Sequence, residues 1–207
     1  MDMEMLGRSD FPFWGRRQYV QISHLTEGFL EVWDASGRSP LERVFVDIRE
    51  QVRSNSDFVI LDPVHQSVSA VRFHCYTNEG MLVVGVIPNG TPIKRRLKDD
   101  EADLVARSEV NAEKRFGAIE KPNSERLIAT MVALVKKVHK ASLPSEGYGQ
   151  WFATGLDLDV SVMAKAGELS MSSTIDREVG RRMTRSTVML DYYRVATISF
   201  YREAVHD

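Results

Sequence analysis

From Gln18 the apolar positions alternate: Val20 and Ile22 stand against Gln21 and Ser23, and after Thr26-Glu27-Gly28 they resume at Leu30, Val32 and Trp33. This pattern predicts two short strands around a glycine-bearing turn. A helix is predicted next. Ser39 reads as its N-cap, Pro40 as its first residue and Glu42 as the partner in a capping box. Leu41, Val44, Phe45, Ile48 and Val52 then recur at helical spacing as far as Ser54-Asn55.

A second hairpin is predicted between His65 and Pro88. Val71, Phe73 and Cys75 alternate with polar neighbours, Thr77 to Gly80 can turn, and Met81 to Ile87 is apolar on both faces. Residues 94 to 116 run from a basic cluster into an acidic one and then into a weakly amphipathic helix ending at Phe116-Gly117. From Asn123 or Ser124 a more apolar helix carries Leu127, Ile128, Met131, Val132, Leu134, Val135 and Val138 and stops before Pro144. Lys136, Lys137, His139 and Lys140 fill its last turns, where positive charge suits the helix dipole.

Leu156, Leu158, Val160 and Val162 against Asp157, Asp159 and Ser161 mark a half-buried strand, turned back by residues 165–167 into 168–172. A short basic helix is expected from Thr174 to Arg185. The last strand is long, with Val188, Leu190, Tyr192, Ala196, Ile198 and Phe200 sharing parity. Residues 1–17 have no clean period and read as an arm before a single domain, residues 18–207. Hairpins interleaved with helices predict an α+β fold: a mainly antiparallel sheet built from hairpins, with three to four helices packed on one face.

Composition narrows the classes. A chain of 207 residues, 43% hydrophobic, buries roughly 70% of its unfolded surface on folding and so supports a core. Its one cysteine excludes a disulfide framework and points to a reducing compartment, cytoplasm or nucleus. With 27 basic against 29 acidic residues there is no global attraction for nucleic acid or anionic lipid, so any such contact needs a local patch. No apolar run approaches the ~18 residues of a membrane-spanning helix, and a soluble intracellular protein is expected.

Asp157 and Asp159 carry the sharpest chemical suggestion. Two carboxylates two residues apart on a strand share a face, roughly 7 Å apart, and can share a magnesium ion with phosphate oxygens. The segment from Tyr148-Gly149-Gln150 to Asp159 resembles the glycine-led helix and paired-aspartate strand of nucleotidyltransferases, with Gln150 standing where that pattern has serine. The resemblance implies a magnesium-dependent nucleotidyl or phosphoryl transferase, in which Asp191 supplies the third carboxylate. The competing reading is a strand whose aspartates simply face water, with no catalytic residue and no metal, and it is favoured because the resemblance covers only this corner of the chain. His74 and Cys75, adjacent on a strand, point to opposite faces and cannot act as a pair. The five histidines show no ligand spacing.

Arg181, Arg182 and Arg185 would project from the basic helix and form the best local patch for nucleic acid. Phe13 and Trp14 in the arm, with Tyr193 and Tyr201 on the last strand, exceed what one face of a small core absorbs; they suggest either a cover by the arm from within the chain or contact with a protein partner or a second copy. The expectation is a non-enzymatic intracellular binding or self-assembling structural protein, of viral capsid or matrix type or a small regulatory inhibitor, without a cofactor. The magnesium-dependent transferase is the alternative.

Overall fold

The computed structural model describes residues 4–62, 69–144, 148–164 and 170–203. The chain divides into two compact units, Met1–Asp99 and Asp100–Asp207.

In the first unit, β1 (Met5–Ser9), β3 (Arg43–Ile48), β4 (Ser54–Ile60), β5 (Val71–Thr77) and β6 (Gly80–Pro92) lie in the order β1-β4-β6-β5-β3 with antiparallel pairing throughout. β2 (Phe13–Trp14) pairs in parallel with β7 (Arg96–Leu97). Residues read from the sequence as an arm thus include two paired strands, β1 and β2.

The stretch expected as the first hairpin is one helix, α1 (Ile22–Ala35). Val20, Ile22, Leu30 and Val32 do alternate locally, but Ile22, Leu25, Phe29 and Trp33 also fall on one helical face, and all four are buried. Burial of that larger apolar face decides between the two periods. Gly28 allows the close approach: a Cβ there would lie 2.8 Å from Ser9 Oγ and 3.1 Å from the Phe11 ring. Phe29 stacks on Phe73 at 4.2 Å between ring centroids and meets Phe58 at 5.7 Å, while Phe11 approaches Phe58 edge-on at 6.0 Å.

The helix expected over residues 41–52 is instead β3. Val44, Phe45, Ile48 and Val52 fit a helix, but Val44, Val46 and Ile48 equally fit a strand, and Val44 and Val46 are fully buried opposite Cys75 and Phe73. Ser39, read as an N-cap, lends its carbonyl to Trp33 Nε1 at 3.0 Å. The second hairpin forms as β5 and β6, closed by Thr77 opposite Gly80; its expected first residues, from His65 to 68, lie outside the described residues. Cys75 is buried with Val71 and Phe73, as its parity predicts.

The second unit holds α2 (Glu101–Leu104), β8 (Glu109–Asn111), β9 (Phe116–Ile119), α3 (Leu127–Ser142), β10 (Phe152–Asp159), α4 (Val160–Met163), β11 (Met171–Val179), β12 (Met183–Leu190) and β13 (Tyr193–Tyr201). Its strands run in the order β10-β13-β12-β11-β9-β8, all antiparallel. α3 forms where its period predicts and packs on β8, β9, β11 and β12. Gly117 on β9 clears its path, since a Cβ there would meet Val138 Cγ2 at 2.6 Å.

Other expectations are corrected here. The amphipathic helix over 94–116 shrinks to the single turn of α2, followed by β8 and β9. Val160 and Val162 leave the strand for α4. The basic helix of 174–185 is the β11–β12 hairpin, turned through Gly180 and Arg181, both at φ +57°. Ile175 is buried there, whereas Val179 and Met183 are about half exposed. The long last strand breaks at Asp191 (φ +49°) into β12 and β13.

The expected fold of three to four helices on one sheet face is therefore wrong. Among the described residues, strands dominate both units, and only α1 and α3 exceed a single turn. Each unit is an antiparallel sheet with one long buried helix. No helix among those residues is long and apolar enough to cross a membrane.

Candidate functional site

The buried side of α3 is apolar through Leu127, Ile128, Met131, Val135 and Val138, then presents His139, also fully buried. Its Nε2 lies 3.2 Å from Ser186 Oγ and 3.2 Å from Thr184 Oγ1. Both hydroxyls belong to β12, where Thr184 and Ser186 share the inward parity of Val188 and Leu190. The imidazole is walled by Trp151 at 4.8 Å and by Phe200, edge-on, at 5.0 Å. Burial, reinforced by the charge of Arg202, lowers its pKa to about 3, so the ring is neutral at physiological pH. A neutral imidazole has one donor and one acceptor nitrogen. Nothing among the described residues bonds Nδ1.

Arg202 follows Ile198 and Phe200 on the inward parity of the last strand and is 1% exposed. Its Nε donates to the Arg181 carbonyl at 2.8 Å and Nη1 to the Pro144 carbonyl at 2.5 Å. The guanidinium also lies over two aromatic faces, 4.4 Å from the Trp151 centroid and 4.1 Å from that of Tyr148. Burial lowers its pKa, with Tyr148 and Glu178 pulling the other way, and an arginine keeps its proton under such conditions. Glu178 is engaged by Arg115 at 3.0 Å. No carboxylate pairs with Arg202 among the described residues, and nothing there accepts a hydrogen bond from its buried Nη2. Tyr148 is only partly buried, so one aromatic ring separates the cation from solvent.

Trp151 touches both groups, 4.8 Å from the His139 ring and 4.4 Å from the Arg202 guanidinium. The arrangement offers an uncharged imidazole, two hydroxyls and a cation with a spare donor, inside an apolar wall. Such a set holds and polarises an oxygen of a bound ligand.

The residues singled out in the sequence lie elsewhere. Asp157 sits on β10 opposite Thr197. Asp159 ends that strand and caps α4, its Oδ1 accepting from Val162 N at 3.0 Å and Ser161 Oγ at 2.7 Å. Asp191 serves the β12–β13 turn, accepting from Ser170 N and Oγ at 2.8 and 2.9 Å. Among the described residues no three acidic, histidine or cysteine side chains gather as a metal site. Arg181, Arg182 and Arg185 are exposed on the β11–β12 hairpin, and Arg182 donates to Tyr201 Oη at 2.6 Å. Phe13 meets Arg96 at 5.2 Å; Trp14 is buried against His24 at 5.0 Å. Tyr193 remains 64% exposed.

Sequence reasoning missed His139, Thr184, Ser186 and Arg202 as a group. A signal was present: each stands on the apolar parity or helical face of its element, where a polar residue needs a reason.

No protein-family model matches the chain, and no curated protein is similar to it in sequence. Solved structures are similar in fold. A putative thioesterase II from Thermobifida fusca YX aligns with 92% of this chain and 88% of its own, at a TM-score of 0.52 and 10% identity. A pyran synthase domain from module nine of the sorangicin pathway aligns over 91% and 87%, at a TM-score of 0.50 and 12% identity. A conserved protein of unknown function with a hot dog fold, from Alicyclobacillus acidocaldarius, aligns over 91% and 89%, at a TM-score of 0.44 and 10% identity. The likeness to the first two is one of fold, and it overturns the expected capsid- or matrix-type structural protein or small inhibitor. Of the aspartates named for the magnesium-dependent transferase alternative, Asp159 caps α4 and Asp191 holds a turn.

Proposed function

We propose that the chain is an enzyme acting on acyl groups carried as thioesters, and that the reaction is hydrolysis. The thioester carbon–sulfur bond breaks, water supplies the new carbon–oxygen bond, and a carboxylic acid and a thiol leave. The observation that carries this reading is the buried polar centre around His139, built against the long helix of the second unit in a chain whose fold is similar to that of a putative thioesterase II. An acyl chain suits the apolar side of α3, and the polar centre suits the carbonyl at its end. Because His139 is neutral and weakly basic, it acts here as a hydrogen-bonding group that positions the carbonyl or the water, rather than as a strong base.

The partner in this reading is a second copy of the chain. Support comes from Phe45, Tyr76 and Met81, each at least 40% exposed on the neighbouring strands β3, β5 and β6.

Thiol release from coenzyme A thioesters of acetyl to palmitoyl length tests the activity. Release is expected for at least one chain length, and His139→Asn is expected to lower kcat at least tenfold while the protein stays folded by circular dichroism. No release from any member of the series overturns the reading.

A further inference from the structure

We propose that Arg202 and His139 form a carboxylate-binding site, closed by the Tyr148 ring, that takes an acyl chain by its free acid end. The argument starts from charge. A buried cation is ordinarily neutralised by a carboxylate, because removing an ion from water costs several kcal/mol on the order-of-magnitude scale for proteins. Among the described residues Arg202 has two carbonyl oxygens and two aromatic faces but no carboxylate, and its Nη2 is a buried donor with no acceptor there. An anion is therefore the complementary ligand.

His139 narrows its chemistry. If Nε2 accepts from the Ser186 or Thr184 hydroxyl, Nδ1 carries the proton and becomes a second donor with no partner among the described residues. Two donors, one charged and one neutral, beside the same indole match the two oxygens of a carboxylate. A phosphate would present three oxygens and up to two charges to this single cation. The apolar neighbours Trp151 and Phe200 suit a hydrocarbon tail. Tyr148 lies 4.1 Å from the guanidinium and is only partly buried, which makes it the ring of the site nearest to solvent exposure.

The identity of the carboxylate as an acyl product rests on the hydrolase reading; the site itself rests on Arg202 and His139. The test titrates the whole chain with octanoate and, as a neutral counterpart, with octanol, followed by calorimetry. Octanoate is expected to bind at least tenfold more tightly than octanol, and Arg202→Met to weaken octanoate by about tenfold to a hundredfold, the worth of a charge-assisted hydrogen bond. Should Arg202→Met fail to fold, Arg202→Lys decides: it keeps the charge and loses the planar fork, and a tenfold weakening is expected. Equal binding of octanoate and octanol by the wild-type chain, no binding of octanoate, or binding unchanged in a folded Arg202 variant overturns the proposal. Octanoate binding without thiol release from octanoyl coenzyme A sinks hydrolysis and spares the site. Thiol release without octanoate binding does the reverse.

Discussion

Phe29 and His139 hold comparable places, each on the buried face of its unit's long helix and each against rings from the neighbouring strands. Around Phe29 the neighbours are Phe58, Phe73 and Trp33, and the contacts are aromatic throughout. Around His139 they are Trp151 and Phe200 but also Thr184, Ser186 and, against the same indole, a buried cation. At Phe29 the first helix meets its sheet through aromatic rings, although elsewhere it buries Ser23, His24 and Thr26. The other keeps polar atoms in its core, at a cost in desolvation that packing alone does not require. In the proposed reading, stability and chemistry fall to different units of one chain.

The largest expected effect breaks the first half of this contrast. Phe29→Ala should destabilise the protein by about 3–5 kcal/mol, the usual cost of deleting a fully packed aromatic side chain. Chemical denaturation measures it, and a loss below ~1 kcal/mol would mean that the aromatic stack does not organise the first unit.

A second prediction concerns His139 and pH. An unfolded histidine titrates near the ordinary value of about 6.5, whereas the buried ring titrates at about 3. Between those values the unfolded chain binds a proton that the native one does not. Stability is therefore complete above about 6.5 and falls with decreasing pH, by about 1.4 kcal/mol per unit for this group. Urea midpoints at pH 7.0 and 5.5 should show the decline, and His139→Leu should reduce it. At pH 7 the same variant should stay within ~1 kcal/mol of wild type, since it removes a buried polar group that makes imperfect use of its bonding capacity. A large loss would recast His139 as a structural keystone and erase the contrast.

The smallest effect is expected at the surface of the first unit. Arg8 and Asp57 pair at 2.7 Å, and this contact, with that of Asn89, holds the Asp57 carboxyl below its ordinary pKa. The pair is open to solvent, so Arg8→Ala should leave the unfolding midpoint unchanged within error at moderate salt.

How much of this was legible in the residues depends on how many periods each stretch satisfies. α3 was readable because Leu127 to Val138 fit only a helix, and β5–β6 because its alternation and turn agree. Val44 and Ile48 belong to a helical and a strand series at once, and the start signal at Ser39-Pro40 tipped the reading the wrong way. α1 failed for the mirror reason: β-branched Val20, Ile22 and Val32 imitated a hairpin while Leu25, Phe29 and Trp33 carried the helix. Only partners distant in sequence resolve such ties. The polar centre was half visible. Arg202 continues the parity of Ile198 and Phe200, which marks it as inward, but its meeting with His139 depends on strand order. The acidic alternation at 157–159 drew notice instead, although Asp159 spends its carboxylate on capping α4.

The parallel pairing of β2 with β7 ties residues 13 and 14 to residues 96 and 97. During synthesis Phe13 and Trp14 emerge well before the segment they must join exists. At ~5–20 residues per second, the wait lasts roughly 4–17 s. For that interval the indole of Trp14 can pack only on nearer partners such as His24, and the strand pair that fixes its backbone forms last.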